Sequence, residues 1–578
     1  MQSAKTVLGV LRERGRKGLP CDELYRQLFN PQLYLMAYGR IYANHGAMTP
    51  GVTPETVDGM SQRKISRIIE AVRHERYRFR PVRRVFIPKK NGKTRPLGLP
   101  TWSDKLVGEV VRLLLEADYD PAFSDRSHGF HPRRGCHTAL REVAHTWTGT
   151  SWSIEGDIAD CFGSLDHQVL LSILGEKIHD QRFLRLVRNM LTAGYLEDWK
   201  WGTTLSGAPQ GGVASPILSN IYLHKLDEFV EKVLIPEYNR GDRRARNPAY
   251  LGLQNLLAKA RQRGDRAEAR TLRQQMVSLP SSDPNDPGYR RLRYIRYADD
   301  HFLGFTGPKV EAEQIKHRLA KFLCDELRLE LSQEKTLITH ARTGAARFLG
   351  YEITTQHNDT KKTGRYRRVN GQVALRVPRD VIKAKCAPYL FRGKPARRNA
   401  LINSDDHAIV ATYGAVYRGH CPVLRWVMET SMLKTLAAKH RSTVSKMASK
   451  HKARVDSPNG PRVCFEARIE RKNRKPLVAR FGGITLQQQR SAKMVDRRPV
   501  WVDYPQKELI TRLLADTCEI CGSTGDVEVH HIRALADLVR SGWPLSDWAR
   551  VMLDRRRKTV VACVSRIHVT RSAESLTR

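Results

Sequence analysis

No apolar run in the 578-residue chain approaches the roughly 20 residues needed to span a bilayer, which argues against a helical membrane protein. The opening MQSAKTVLGVLRERG lacks the apolar region of about 7–15 residues that marks a secretory signal. Cysteine is scarce: ten residues, scattered along the chain, do not read as a disulfide framework, so thiols in a reducing cytosol are expected. No internal repeat or low-complexity tract is present, which excludes a solenoid or a fibrous chain. Acidic residues are also few, with 59 Asp+Glu against 100 Lys+Arg, a formal charge of +41. Such a protein meets a polyanion, because each Lys or Arg set against a phosphate releases a condensed counterion. With membranes set aside, nucleic acid is the expected partner.

What is present is enough apolar residue, 40%, for packed cores, and a length that suggests roughly three or four domains. The stretch from Leu24 to about Ile69 is amphipathic and helical, interrupted by the turn-rich GAMTPGVTPETVDG. PVRRVFIPKKNGKTRPLGLP (81–100) predicts two strands about a turn at Asn91-Gly92. DKLVGEVVRLLLEADYD has helical spacing, and so has 312–331. WSIEGDIADCFGSLD (152–166) predicts a buried strand running into a turn, and 292–305 a strand hairpin. Strands and helices alternate irregularly, an α+β pattern. Residues 240–296 hold 14 Lys/Arg against 5 Asp/Glu and predict an inserted basic helical excursion. From about 380 to 480 basic helices are expected, and residues 434–480 carry 14 Lys/Arg against 3 acidic residues.

The sharpest local feature is RYADDHFLGF (296–305). Two adjacent carboxylates at the bend of a hairpin are either a solvated turn or ligands of a divalent cation. Asp157, in EGDIADCF, is a second strand-terminal aspartate, flanked by Ile154 and Ile158 and followed by Phe162. If its strand neighbours the hairpin, Asp157, Asp299 and Asp300 converge. Hard oxygen ligands of that kind suit Mg²⁺, which keeps room for water and phosphates. Two such ions about 3.5–4 Å apart support an in-line nucleotidyl transfer.

Eight blocks decide between the two readings. TPGVTPETVDG, RRVFIPKKNGKTRPLGLPT, SHGFHPRRGCHTAL, WSIEGDIADCFGSLDH, GAPQGGVASPILSNIYLHKLD, RYADDHFLGF, LSQEKTLITH and RFLGYEI occur in this order. They resemble the reverse transcriptases encoded by group II introns, across nearly the whole chain. The resemblance implies a right-hand polymerase, with fingers and a ferredoxin-like palm sheet in 1–375, the basic helical insertion occupying about 240–292. It also implies an α-helical thumb/maturase domain in 376–485 and a small ββα-metal-like region in 490–578. By the same resemblance Asp157 and Asp299 are ligands of two Mg²⁺ ions and Asp300 supports them. Phe162 is the steric gate against a ribonucleotide's 2′-hydroxyl. Lys89 and Arg95 grip the incoming triphosphate, Gln210 contacts the nucleotide, and Gly211 and Gly212 permit close backbone approach. Lys335 protonates the departing pyrophosphate.

YGAVYRGHCPVLRWVMETSMLKTLAAKHRSTVSKM resembles the maturase region of the same proteins, which implies binding of the intron's own RNA. Lys434, Lys439, His440 and Arg441 are the expected RNA contacts. Tyr413 and Tyr417 either stack on bases or pack the core. CEICGSTGDVEVHHIRALADL resembles the opening of an HNH endonuclease domain, implying Zn²⁺ at Cys518, Cys521 and Cys563. There His530 would bind a catalytic divalent metal and His531 would be the base. Arg566 and Ile567 stand where the family has a cysteine and a histidine, with His568 one position late, so an impaired nuclease is expected. The expected partners are group II intron RNA, target DNA and dNTPs, with a second copy of the chain also a candidate, in a bacterial cytoplasm. The chief alternative is a maturase-type splicing factor that binds intron RNA with a vestigial polymerase centre. A reverse transcriptase recruited to phage defence and a retroviral polymerase fit the blocks less well.

Overall fold

The computed structural model describes residues 2–563 except 45, 89–91, 93, 198–199, 203–206, 208–211, 333, 359–369, 420–423, 457–459, 472–473, 484–507, 533–546 and 556. The chain divides into two compact units. One comprises residues 1–346, 354–373 and 495–578, and the other 347–353 and 374–494.

In the first unit, α1 (Pro31–Ile41) and α2 (Gln62–Arg73) flank the turn-rich segment, each started by a capping side chain, Asn30 and Ser61. The predicted strand pair is β1 (Val82–Pro88) and β2 (Thr94–Leu99), antiparallel with Ile87 opposite Arg95. The central helix α3 (Trp102–Tyr119) begins at Thr101, whose hydroxyl accepts from the Asp104 amide. It is buried around nearly its full circumference, with Leu106, Val107, Val110, Val111 and Leu114 wholly buried and the acids Asp104, Glu109, Glu116 and Asp118 buried among them. Its buried Glu109 is neutralised by Arg112, whose Nε and Nη2 each donate at 2.8 Å.

The sheet that positions the site is antiparallel and four-stranded. β3 (Trp152–Gly156), β4 (Arg291–Tyr297), β5 (Asp300–Thr306) and β6 (Ile338–His340) lie in the order β4-β5-β3-β6. Gly156 faces His301 in the β3–β5 ladder, and a Cβ there would lie 1.9 Å from the imidazole Nε2. Only glycine fits that approach. α4 (Ser215–Phe229) and α7 (Lys309–Asp325) bury Ile217, Leu218 and Ile221, and Ile315, Leu319 and Leu323, in the same core.

Two helical expectations resolve differently. The basic excursion is two helices, α5 (Pro248–Gln262) and α6 (Arg266–Ser278), around a small core of Leu257, Ala260 and Leu272. Gly264 at φ +73° breaks them apart, and Asp265 caps the second by accepting from the amides of Ala267 and Glu268. Helix α7 stops at Asp325 rather than continuing to 331. Beyond it Leu327, Leu329 and Leu331 are buried at a spacing of two, the period of an extended chain, with Arg328 at φ +48°.

The second unit contains α8 (Asp406–Gly419), α9 (Arg425–Lys439) and α10 (Val444–His451) packed with a sheet. The expectation of helices through 480 is corrected here. Residues 452–482 form β7 (Lys452–Val455), β8 (Arg462–Arg471) and β9 (Arg474–Gly482), antiparallel in that order. The arginines dominate the composition, but Phe465 and Phe481 face each other across the β8–β9 ladder and both enter the core.

The C-terminal residues belong to the first unit. α11 (Glu508–Leu514) contributes Leu509, Ile510 and Leu513 to the core shared with α3. β10 (Val527–His531) pairs antiparallel with β11 (Thr559–Cys563), with His530 opposite Val560, and α12 (Asp547–Asp554) lies between them in sequence.

Candidate active site

The register of the sheet gathers the predicted carboxylates. With Gly156 opposite His301, the next residue of β3's strand end, Asp157, falls beside Asp300, at the turn where β4 passes into β5. Burial, then the charges of Asp299 and Asp157, push the Asp300 carboxyl up to about 7, and a hydrogen bond with Asp157 adds to this. Burial and the Asp157 charge also raise Asp299, against the pull of Arg95 and Lys335. Mutually repelling, half-buried carboxylates are the donor set a divalent cation relieves. Lys335 forms an ion pair with Asp157 Oδ2. It is delivered there by the backbone: the Ser332 amide donates to the Asp157 carbonyl at 2.9 Å, and Ile158 bridges Leu331. The Asp157 hydrogen bond raises the Lys335 ammonium, so it stays protonated.

Behind the aspartates lies a buried network. Arg296 is fully buried and grips Asp227 with two hydrogen bonds, Nη2 to Oδ2 at 2.6 Å and Nε to Oδ1 at 2.8 Å. Its Nη1 donates to the Ala298 carbonyl at 2.8 Å and its Nη2 to Ser127 Oγ at 2.9 Å. Ala298 has φ +57°, a left-handed backbone that costs a non-glycine residue energy and turns the chain into Asp299. Burial lowers His301 to about 4, so it is a neutral part of this floor. Arg296, Asp227 and His301 were missed in the sequence. No sequence signal singles out Arg296, because the strand RLRYIRY also carries Arg291 and Arg293.

Phe162 lies in the short helix Cys161–Ser164, which follows Asp160 at φ 42°, and its ring lies 6.4 Å from that of Phe130, edge to face. Arg95 is exposed on β2. Lys89, Gln210 and Gly211 lie outside the described residues. In the second unit Tyr413 and Tyr417 are in the core, and Tyr413 hydrogen-bonds Ser431 at 2.8 Å, so of the two readings core packing holds. Lys434 is exposed with its ammonium on the Pro395 carbonyl, and Arg441 is exposed at φ +46°. Lys439 and His440 both turn onto Asp406, at 2.7 and 2.8 Å.

At the C-terminal end, the sulfurs of Cys518, Cys521 and Cys563 all lie within 4.8 Å of one another, the one such ligand cluster among the described residues. Three soft donors fit three corners of a tetrahedral zinc site. Hydrogen bonds from Ser523 lower the Cys521 thiol to about 6, toward the thiolate that metal binding needs. Arg566, Ile567 and His568 lie outside the described residues.

Comparisons with known proteins match this arrangement. The family model "Reverse transcriptase (RNA-dependent DNA polymerase)" matches residues 87–353, "Type II intron maturase" 379–459, and "AI2M/AI1M-like, HNH endonuclease" 518–567. Group II intron-encoded protein LtrA of Lactococcus lactis subsp. cremoris is 36% identical over 580 residues, covering 93% of this chain and 94% of that protein. The chain belongs to the group II intron-encoded proteins. A 91 kDa protein in the cob intron of Schizosaccharomyces pombe is 32% identical over 99% of this chain and 73% of its own length. The putative COX1/OXI3 intron 1 protein of Saccharomyces cerevisiae is 31% identical over 88% and 64%.

As a group II intron-encoded protein, the chain is an RNA-directed DNA polymerase joined to maturase and HNH regions. The right-hand polymerase fold follows from the reverse transcriptase match, and the mixed helices and strands agree with it. Such proteins bind intron RNA, DNA and nucleotides and use divalent metals. Among the described residues, no helix is long and apolar enough to cross a membrane.

Proposed function

We propose that the sheet end bearing Asp157, Asp299 and Asp300 polymerises DNA on intron RNA. The observation that carries this reading is the β3–β5 register, which sets Asp157 beside Asp300 while Lys335 is held on Asp157. Asp157 and Asp299 would hold two Mg²⁺ ions, with Asp300 supporting them. When bound, the ions activate the primer hydroxyl and neutralise charge on the leaving oxygen. Lys335, kept protonated at Nζ, donates its proton to the departing pyrophosphate. Arg95 and Lys89 clamp the triphosphate, Gln210 and Gly211 line the nucleotide, and Phe162 excludes a 2′-hydroxyl by bulk. The β4-β5-β3-β6 sheet is read as the palm and 376–485 as the thumb and maturase domain.

In that domain Lys434 and Arg441 are the outward cations for RNA phosphates, with Lys439 and His440 beside them. The C-terminal region holds Zn²⁺ through Cys518, Cys521 and Cys563. It retains His530 and His531 but cuts target DNA poorly, because Arg566 and Ile567 replace expected ligands. The site of action is a bacterial cytoplasm, a reading that the Lactococcus relative supports.

Replacing Asp299 with Asn tests the assignment. Primer extension on intron RNA should be abolished while RNA retention on a filter stays near the parent level. Wild-type extension by Asp299→Asn would refute it.

A further inference from the structure

The nuclease-like histidines are not presented by their own region alone. The segment Asp58–Met60, more than 460 residues earlier, docks against β10 as a short antiparallel bridge. The Gly59 amide donates to the Val529 carbonyl at 3.0 Å, and the Val529 amide to the Met60 carbonyl at 2.8 Å. Met60 opposite Val529 sets Asp58 opposite His531, two residues along each strand, and the His531 amide donates to Asp58 Oδ1 at 3.0 Å. The same oxygen lies 3.2 Å from His530 Nδ1. Val57 and Met60, on either side, are wholly buried, so the carboxylate is held rather than free to swing.

Each histidine therefore has one ring nitrogen engaged by the N-terminal segment. His530 uses Nδ1 on Asp58, and His531 uses Nε2, 3.4 Å from the Tyr38 hydroxyl on α1. In each ring the other nitrogen, His530 Nε2 and His531 Nδ1, is buried and has no hydrogen-bond partner among the described residues. A buried, unpartnered imidazole nitrogen opposite a carboxylate-held one is the arrangement of a metal-binding histidine: the carboxylate fixes the tautomer and aims the lone pair. His530 thus fits a divalent metal.

We propose that Asp58 is the positioning residue for His530, so that the polymerase's N-terminal segment supplies the outer support of the nuclease-region metal site. The inference rests on His530 being a metal ligand. It also makes that site dependent on the first sixty residues of the chain, which no C-terminal motif contains.

The test is Mn²⁺ binding to the full-length protein, followed by electron paramagnetic resonance. All samples carry Asp299→Asn, which weakens binding at the polymerase carboxylates. His530→Ala should remove one class of bound Mn²⁺. Asp58→Ala should weaken that class by about 10–100-fold, and Asp58→Asn, whose amide oxygen still accepts from Nδ1, by no more than about threefold. Asp58→Ala binding as tightly as its parent overturns the inference even where His530→Ala loses the ion. Full binding in His530→Ala instead removes the reading beneath it. Should circular dichroism show Asp58→Ala unfolded, Asp58→Ser, whose hydroxyl is too short to reach Nδ1, replaces it with the same two outcomes.

Discussion

Lys335 is paired with Asp157 across 178 residues of sequence. The pair is a consequence of backbone pairing, because the Ser332 amide and Leu331 hold the LSQEK segment against Asp157 and Ile158. A lysine so held is protonated and aimed at the carboxylates, and the proposed function gives it the proton transfer to the leaving phosphate oxygen. Lys335→Ala should lower the single-turnover rate of nucleotide addition by roughly 10²–10⁴-fold while primer–template affinity changes little. Rapid-quench kinetics with a matched filter-binding assay separates the two effects. An unchanged rate would leave Lys335 as a mere surface charge.

The buried Arg296–Asp227 pair is expected to dominate local stability. Removing one partner strands the other charge in the core, at a cost of about 3–5 kcal/mol. Arg296→Met should lower the unfolding free energy by that amount, and Arg296→Met combined with Asp227→Leu should recover part of it. Urea denaturation of the parent, Arg296→Met, Asp227→Leu and the double variant measures the coupling. A double-variant loss equal to the sum of the two single losses would mean that the pair is not coupled.

The polymerase core was legible in the sequence because each block pairs a special backbone with a chemical group. The bend at Asp299 and the strand ending at Gly156 sit where pattern placed them. Arg296 and Asp227 were not legible as a pair, since nothing in a one-dimensional pattern joins residues 69 positions apart. The sheet at 452–482 was hidden by its charged residues, of which Arg454, Arg468 and Arg480 are exposed, while Cys464, Phe465, Glu466, Ala467, Ala479 and Phe481 are buried. Asp58 looked like part of a turn. Its role depends on a bridge to Val529 that only folding creates.

Asp406 gives the second unit a defined acid sensitivity. Its burial, which would raise the carboxyl, is outweighed by hydrogen bonds from Lys439 and His440, and it falls to about 2. A carboxyl lowered in the folded state adds stability above its unfolded value of about 3.9, and that stability is lost as pH falls from about 4 to 2. Asp406→Asn should therefore melt below the parent at pH 5, and the gap should close by about pH 2. Differential scanning calorimetry at several pH values reads it. A gap that persists unchanged at pH 2 would contradict the ion-pair account.

The three thiols predict metal-dependent stability. One zinc per chain should be found by atomic emission, and Cys563→Ser should reduce it. Because Cys518, Cys563 and Val529 share the core that includes α3, zinc removal by a chelator should lower the melting temperature of the first unit. Full stability in Cys563→Ser would separate the cluster from the fold.

The account depends most on Asp157 acting with Asp299, although 142 residues separate them. The direct measurement is single-nucleotide incorporation by Asp157→Asn on an RNA template with saturating Mg²⁺ and dNTP. Loss of a carboxylate ligand worth several kcal/mol should slow incorporation by roughly 10³-fold or more, with primer–template still bound. Incorporation within a few-fold of the parent rate would mean that Asp157 does not belong to the polymerising centre.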